Sequence, residues 1–157
     1  MQTADNGGLR PWLIRWLYAA AAAHLLGGAL LSWWGDSALF AEYHQNIEQA
    51  FWGADIPAAA HALQVWWFAL FGATVQSYAV YMAALIYIGS RYTLSVAWAW
   101  LIAGILLWAP QDIGISLRAG IWSHVWVDSV AVIALLLPLG WLYRHDRRVG
   151  RNGLETN

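Results

Sequence analysis

The chain has 157 residues, no cysteine, a net charge of −1, 61% apolar residues and only 11% charged ones. A soluble domain carries roughly 25% charged residues, so the composition points to one integral membrane domain. Without cysteine there is no thiol catalysis, iron–sulfur ligation, Cys-type zinc site or disulfide. Eight arginines and no lysine, spread along the chain, make no basic face for nucleic acid.

Four spans are expected, in an all-α four-helix bundle. The first, residues 11–34, opens at Pro11, which suits a first helical turn. Arg10 and Arg15 before "WLYAAAAAHLLGGALLSWW" mimic a secretion signal, but the apolar stretch is longer than a signal core and reads as a retained helix. Between the first two spans, Leu39, Tyr43, Ile47 and Phe51 recur every fourth residue after "GDS". That pattern predicts a short amphipathic helix, lying on the outer leaflet or covering the bundle mouth.

The second span, residues 58–89, exceeds the roughly 20 residues a bilayer needs and must tilt or project into water. The third, residues 92–109, is expected to stop or kink at Pro110. "QDIGISLR" then reads as a loop in which Asp112 and Arg118 pair at the surface. The fourth, residues 120–143, carries Pro138 and a bend. Residues 1–148 therefore form a single transmembrane domain, with residues 1–10 at its start and a cytoplasmic tail, residues 149–157, expected to be disordered.

Seven of the eight arginines fall on one side and only Arg118 on the other. The positive-inside rule then predicts a multi-pass protein of a bacterial inner membrane with both termini cytoplasmic. The short helix would be periplasmic. Tryptophans near the expected edges suit headgroup anchoring.

Ionisable residues inside the membrane cost roughly 2.5–3.5 kcal/mol each on insertion scales, so they face partners. His24 sits near mid-membrane beside Ala20, Gly27 and Gly28, a small face suited to close helix approach. It reads as a packing hydrogen bond or as a mechanistic group. His124 and Asp128, four apart, share one face of the last helix, and Asp128 lies at the depth of His24. The expected contact is Asp128 with His24, with His124 above. These three are the catalytic candidates.

Gln64, Gln76 and Asp112, with Trp100, Trp108, Trp122 and Trp126 as an apolar slot, are the candidate ligand-binding residues. Together the polar groups suggest an outward-opening funnel closed near mid-membrane, with almost nothing ionisable in the cytoplasmic half before the arginines. No tight metal motif is present, so no metal or cofactor is assigned. Haem or metal ligation at His24, His61 and His124 stays open, including a His61–His124–Asp112 site at the mouth.

The leading functional expectation is a binding protein for a lipid-like or isoprenoid molecule, or an accessory subunit partnering a membrane protein or a second copy. The alternative is an enzyme using a His/Asp acid–base pair on a lipid or quinone. "LWAPQDIGISL" and "SHVWVDS" resemble a pattern in Trp-rich four-span inner-membrane proteins of Gram-negative bacteria, some carrying a cell-division label. The resemblance implies the same location and assigns no site. The sterol-isomerase and sigma-2-receptor-like group shares four spans, aromatics and an acidic pocket without a residue-level match. The DoxX-like family shares the helix count.

Overall fold

The computed structural model describes residues 8–155, and every regular element among them is helical. The order is α1 (Leu9–Trp34), a 3-10 turn (Ala38–Phe40), α2 (Ala41–Trp52), α3 (Ala60–Tyr92), α4 (Ser95–Arg118) and α5 (Trp122–Glu155). Helices α1, α3, α4 and α5 are long and apolar enough to cross a membrane. Two-residue and three-residue connections follow α3 and α4, so successive long helices return antiparallel. Gly120 makes the second turn with φ +74°, a left-handed value that glycine adopts without penalty.

Helix α1 packs chiefly along α3, and α4 along α5. The first pairing rests on Gly28 and Gly72. A Cβ on Gly72 would lie 2.5 Å from the Gly28 carbonyl oxygen, and one on Gly28 would lie 2.6 Å from that of Gly72. The two backbones touch because neither residue has a side chain. Gln76 ties the same crossing, donating to Ser32 Oγ at 3.2 Å and to the Gly72 carbonyl at 3.3 Å.

The two pairs close on each other at the end that carries the termini. There Leu13, Leu17, Met82, Ile86, Trp98, Leu101, Leu139 and Leu142 form the apolar core. An ion pair that sequence reasoning missed locks this end. Asp146 is 2% exposed and takes both Arg10 Nε and Nη2 at 3.0 Å, with Trp98 Nε1 donating at 2.9 Å. Arg10 Nη2 also donates to the Ser90 carbonyl at 3.3 Å, so the cluster touches all four long helices. Both charges lie among the arginines at the ends of the spans; the structure adds that Asp146 is buried there and that Arg10 belongs to α1.

Two helices run further than expected. Helix α4 passes through Pro110 to Arg118, because a proline removes one N–H and one intrahelical bond rather than ending a well-packed helix. Helix α5 passes Pro138 and continues to Glu155. The lost bond at Pro138 frees the carbonyl four residues earlier, Ala134, and Trp16 Nε1 on α1 donates to it at 3.0 Å. Of the ends expected to be disordered, residues 9–10 and 149–155 are helical, while 1–7 and 156–157 lie outside the described residues.

Candidate functional site

At the end opposite the termini, α2 lies against the bundle. Its inward face is not centred on the Leu39–Tyr43–Ile47–Phe51 stripe. Leu39 and Phe51 stay exposed, and the buried positions are His44 and Glu48. The helix is rotated so that His44 and Glu48 face inward, where the bundle below presents polar partners, while Glu42, Gln45, Asn46 and Gln49 stay exposed. Phe68 of α3 anchors it, packing on Phe40, Tyr43 and His44.

Two polar clusters meet α2. In the first, His61 at the start of α3 has Nε2 2.7 Å from Asp36 and Nδ1 3.0 Å from Glu48. The buried His44 ring lies 4.9 Å from that of His61 and donates from Nε2 to the Gly35 carbonyl at 2.8 Å. This cluster latches α2 to the loop before it and to the start of α3.

The second cluster joins α2, α4 and α5. Tyr43 Oη lies 2.6 Å from His124 Nδ1. On the other side of the ring, His124 Nε2 is 3.4 Å from Asp112 Oδ2, in hydrogen-bonding geometry, and 3.3 Å from Asp128 Oδ2. The Asp128 side chain is only 7% exposed, and its Oδ2 has no hydrogen-bond partner. One imidazole nitrogen thus faces two carboxylates and carries at most one hydrogen. Burial and the two carboxylates push the Tyr43 hydroxyl up to about 12, burial first, then Asp128 and Asp112. Tyr43 therefore stays protonated and is available to hold His124 in orientation.

The candidates named from sequence separate accordingly. His124 and Asp128 do share a face, and Asp112 joins them. Its expected loop pairing with Arg118 is corrected, because residues 111–118 are helical and aim Asp112 at His124. His24 does not meet Asp128. Its Nδ1 donates to the Ala20 carbonyl at 2.7 Å, and its ring packs edge-on against Tyr78 of α3 at 5.7 Å. The glycine crossing draws α1 onto α3, so equal depth did not mean contact. His61 lies in the Asp36–Glu48 cluster, so the expected His61–His124–Asp112 set is not assembled.

Gln76 is a helix tie, and Gln64 is buried with both amide atoms unpaired. Trp100, Trp108, Trp122 and Trp126 are 67%, 41%, 60% and 68% exposed. They face outward instead of lining an interior slot.

Tyr43 and His44 are the site residues that sequence reasoning missed. Their signal was present: a histidine and a glutamate four apart, His44 and Glu48, on a helix whose loop holds acids and no base. Comparison of the chain with protein-family models, with curated proteins and with solved structures found no match.

Proposed function

We propose that this is a multi-pass protein of a bacterial inner membrane, with both termini cytoplasmic and α2 at the periplasmic face. Its task is to bind a positively charged ligand group in the Asp112–His124–Asp128 cluster under α2. The membrane reading draws on four helices of spanning length and on large apolar side chains exposed around them, such as Trp33 at 77% and Leu107 at 71%. The orientation draws on the arginines gathered at the termini end.

The observation that carries the binding reading is the unpartnered Asp128 carboxylate oxygen beside a second carboxylate. A buried carboxylate demands a proton, a cation or hydrogen bonds, and the one ring hydrogen of His124 cannot serve both aspartates. A lipid-like or isoprenoid ligand fits this reading when it brings a cationic head to the cluster. Its tail would then lie in the bilayer and not in a slot between tryptophans.

A second observation supports the accessory-subunit reading. Trp12, Trp16, Ile133, Leu137 and Trp141 border an open apolar groove of about 360 Å³ between α1 and α5, where an apolar segment of a partner would fit.

The binding reading is tested by melting the purified protein with choline, spermidine or a divalent metal salt. A ligand at 100 times its Kd stabilises by about 2.7 kcal/mol, a shift of several degrees in Tm. At least one cation should raise Tm in the wild type and not in Asp128→Asn. If no cation shifts Tm, the reading fails. Orientation is checked in the cysteine-free background: Asn46→Cys should react with an impermeant maleimide in intact spheroplasts, and Val149→Cys only after lysis. The reverse pattern contradicts it.

A further inference from the structure

We propose that Asp112, His124 and Asp128 form a binding site for one zinc-class divalent transition metal ion, with Tyr43 of α2 orienting the histidine. The inference rests on the cation-binding reading above and names the cation.

The geometry is that of a ligand shell. One donor atom from each residue lies within 4.8 Å of the other two. The two distances from His124 Nε2, 3.4 Å to Asp112 and 3.3 Å to Asp128, are the more telling ones. Zinc bonds of about 2.0–2.2 Å in tetrahedral geometry put neighbouring ligand atoms roughly 3.3–3.6 Å apart. The three side chains come from two helices, on which α4 and α5 hold them more rigidly than loops do. Asp128 supplies the independent sign of a ligand: its side chain is only 7% exposed, and its Oδ2 accepts no hydrogen bond and stands 3.3 Å from His124 Nε2.

Charge leads to the same conclusion. Two carboxylates around a neutral imidazole carry a formal −2, which one divalent ion cancels. With a metal bound, the single hydrogen of the neutral ring sits on Nδ1, so that Nε2 offers its lone pair and Nδ1 donates to the Tyr43 hydroxyl oxygen, 2.6 Å away. An outer partner of this kind fixes the tautomer and raises the basicity of the ligand. One nitrogen and two carboxylate donors favour zinc, manganese or iron over copper(I), which prefers sulfur, and over magnesium, which prefers oxygen alone. Three protein ligands leave a position open to water or substrate.

The test uses the full chain in detergent, stripped with a chelator, titrated with Zn2+, and counted by elemental analysis. Co2+ serves as the optical probe, through its visible ligand-field bands. One ion per chain is expected. Tyr43→Phe should weaken binding about 10–100-fold, the usual cost of losing an outer partner, and His124→Ala, Asp128→Asn and Asp112→Asn by more than that. Asp112 is partly exposed, so Asp112→Asn, checked for helicity and melting, covers the case in which the Asp128 variant does not fold. His61→Ala, which can act only by loosening α2 and with it Tyr43, should weaken binding no more than Tyr43→Phe does, which excludes the His61–Asp36–Glu48 cluster as the site.

Failure of the wild type to take up one Zn2+, or equal affinity in Asp112→Asn, overturns the proposal. So does loss of binding in His61→Ala alone. A Tm response to choline or spermidine without metal uptake would sink the metal and leave the cation-binding reading standing. Silence to every cation would sink both.

Discussion

Three side chains carry most of the account at the residue scale, Tyr43 at one end of the bundle and the Arg10–Asp146 pair at the other. Tyr43 is held protonated by burial and by the nearby aspartates, its hydroxyl raised from 10.0 to about 12. A raised value means that the folded state favours the protonated form. That contribution is complete below pH 10 and is lost as pH rises through about 12. The phenolate absorbance of wild type minus Tyr43→Phe should therefore report a tyrosine ionising near pH 12, with α2 loosening as it does. Ionisation of that tyrosine near pH 10 would show that α2 does not cover it.

At the other end, Arg10 and Asp146 are unequal partners. The Asp146 side chain is fully buried, whereas that of Arg10 is 22% exposed. Removing Arg10 leaves the buried Asp146 carboxylate without its cation, held only by the ring nitrogens of Trp98 and His145 at 2.9 Å, and removing Asp146 leaves a cation that can turn to water. Breaking a buried pair costs about 3–5 kcal/mol. Arg10→Ala should approach that range in chemical denaturation, and Asp146→Ala should cost less. Equal and small effects would mean that the pair is solvated. This pair escaped sequence reasoning because Asp146 stands among four arginines and reads as one more surface charge.

At the element scale, the α1–α3 crossing depends on two hydrogens in place of two methyl groups. The obstacle to a side chain at Gly72 is rigid: the Gly28 carbonyl at 2.5 Å and the Ser32 amide nitrogen at 2.8 Å. Overpacking of this kind costs about 1–3 kcal/mol, so Gly72→Ala should lower Tm. Gly27, adjacent to the crossing but with nothing within 4 Å of a built Cβ, is the control. Gly27→Ala should be neutral or slightly stabilising, since alanine is preferred in helices by about 0.5–1 kcal/mol. Equal losses at both positions would refute the packing of α1 on α3.

The small-residue face "AHLLGG" made this crossing partly legible in the sequence. What it did not disclose was the partner, which is Gly72 and not the last helix. The same gap explains His24: depth along a helix follows from counting residues, but azimuth depends on which neighbour the helix chooses. Pro110 misled for a related reason. Its chemical cost is local, and tertiary contacts decide whether a helix continues beyond it.

At the scale of the whole molecule, the bundle has a closed end and a charged end. Apolar core and the Arg10–Asp146 lock join the helix pairs where the termini lie. Opposite them, α2 bridges the pairs with Tyr43, His44 and Glu48. The four long helices, the extra helix and the shared face of His124 and Asp128 were readable from hydropathy and spacing. The convergence of Asp112, His124, Asp128 and Tyr43 from three helices was not, because it is set by packing between segments up to 85 residues apart in number, from Tyr43 to Asp128.

The central claim is that α2 closes over the charged cluster through Tyr43 and His124. It is tested most directly by nitrogen-15 NMR of histidine-labelled protein, with the His124 signals assigned by their loss in His124→Gln. The account predicts that Tyr43→Phe shifts the His124 Nδ1 resonance and leaves those of His61 in place. His124 resonances identical in wild type and Tyr43→Phe would contradict it.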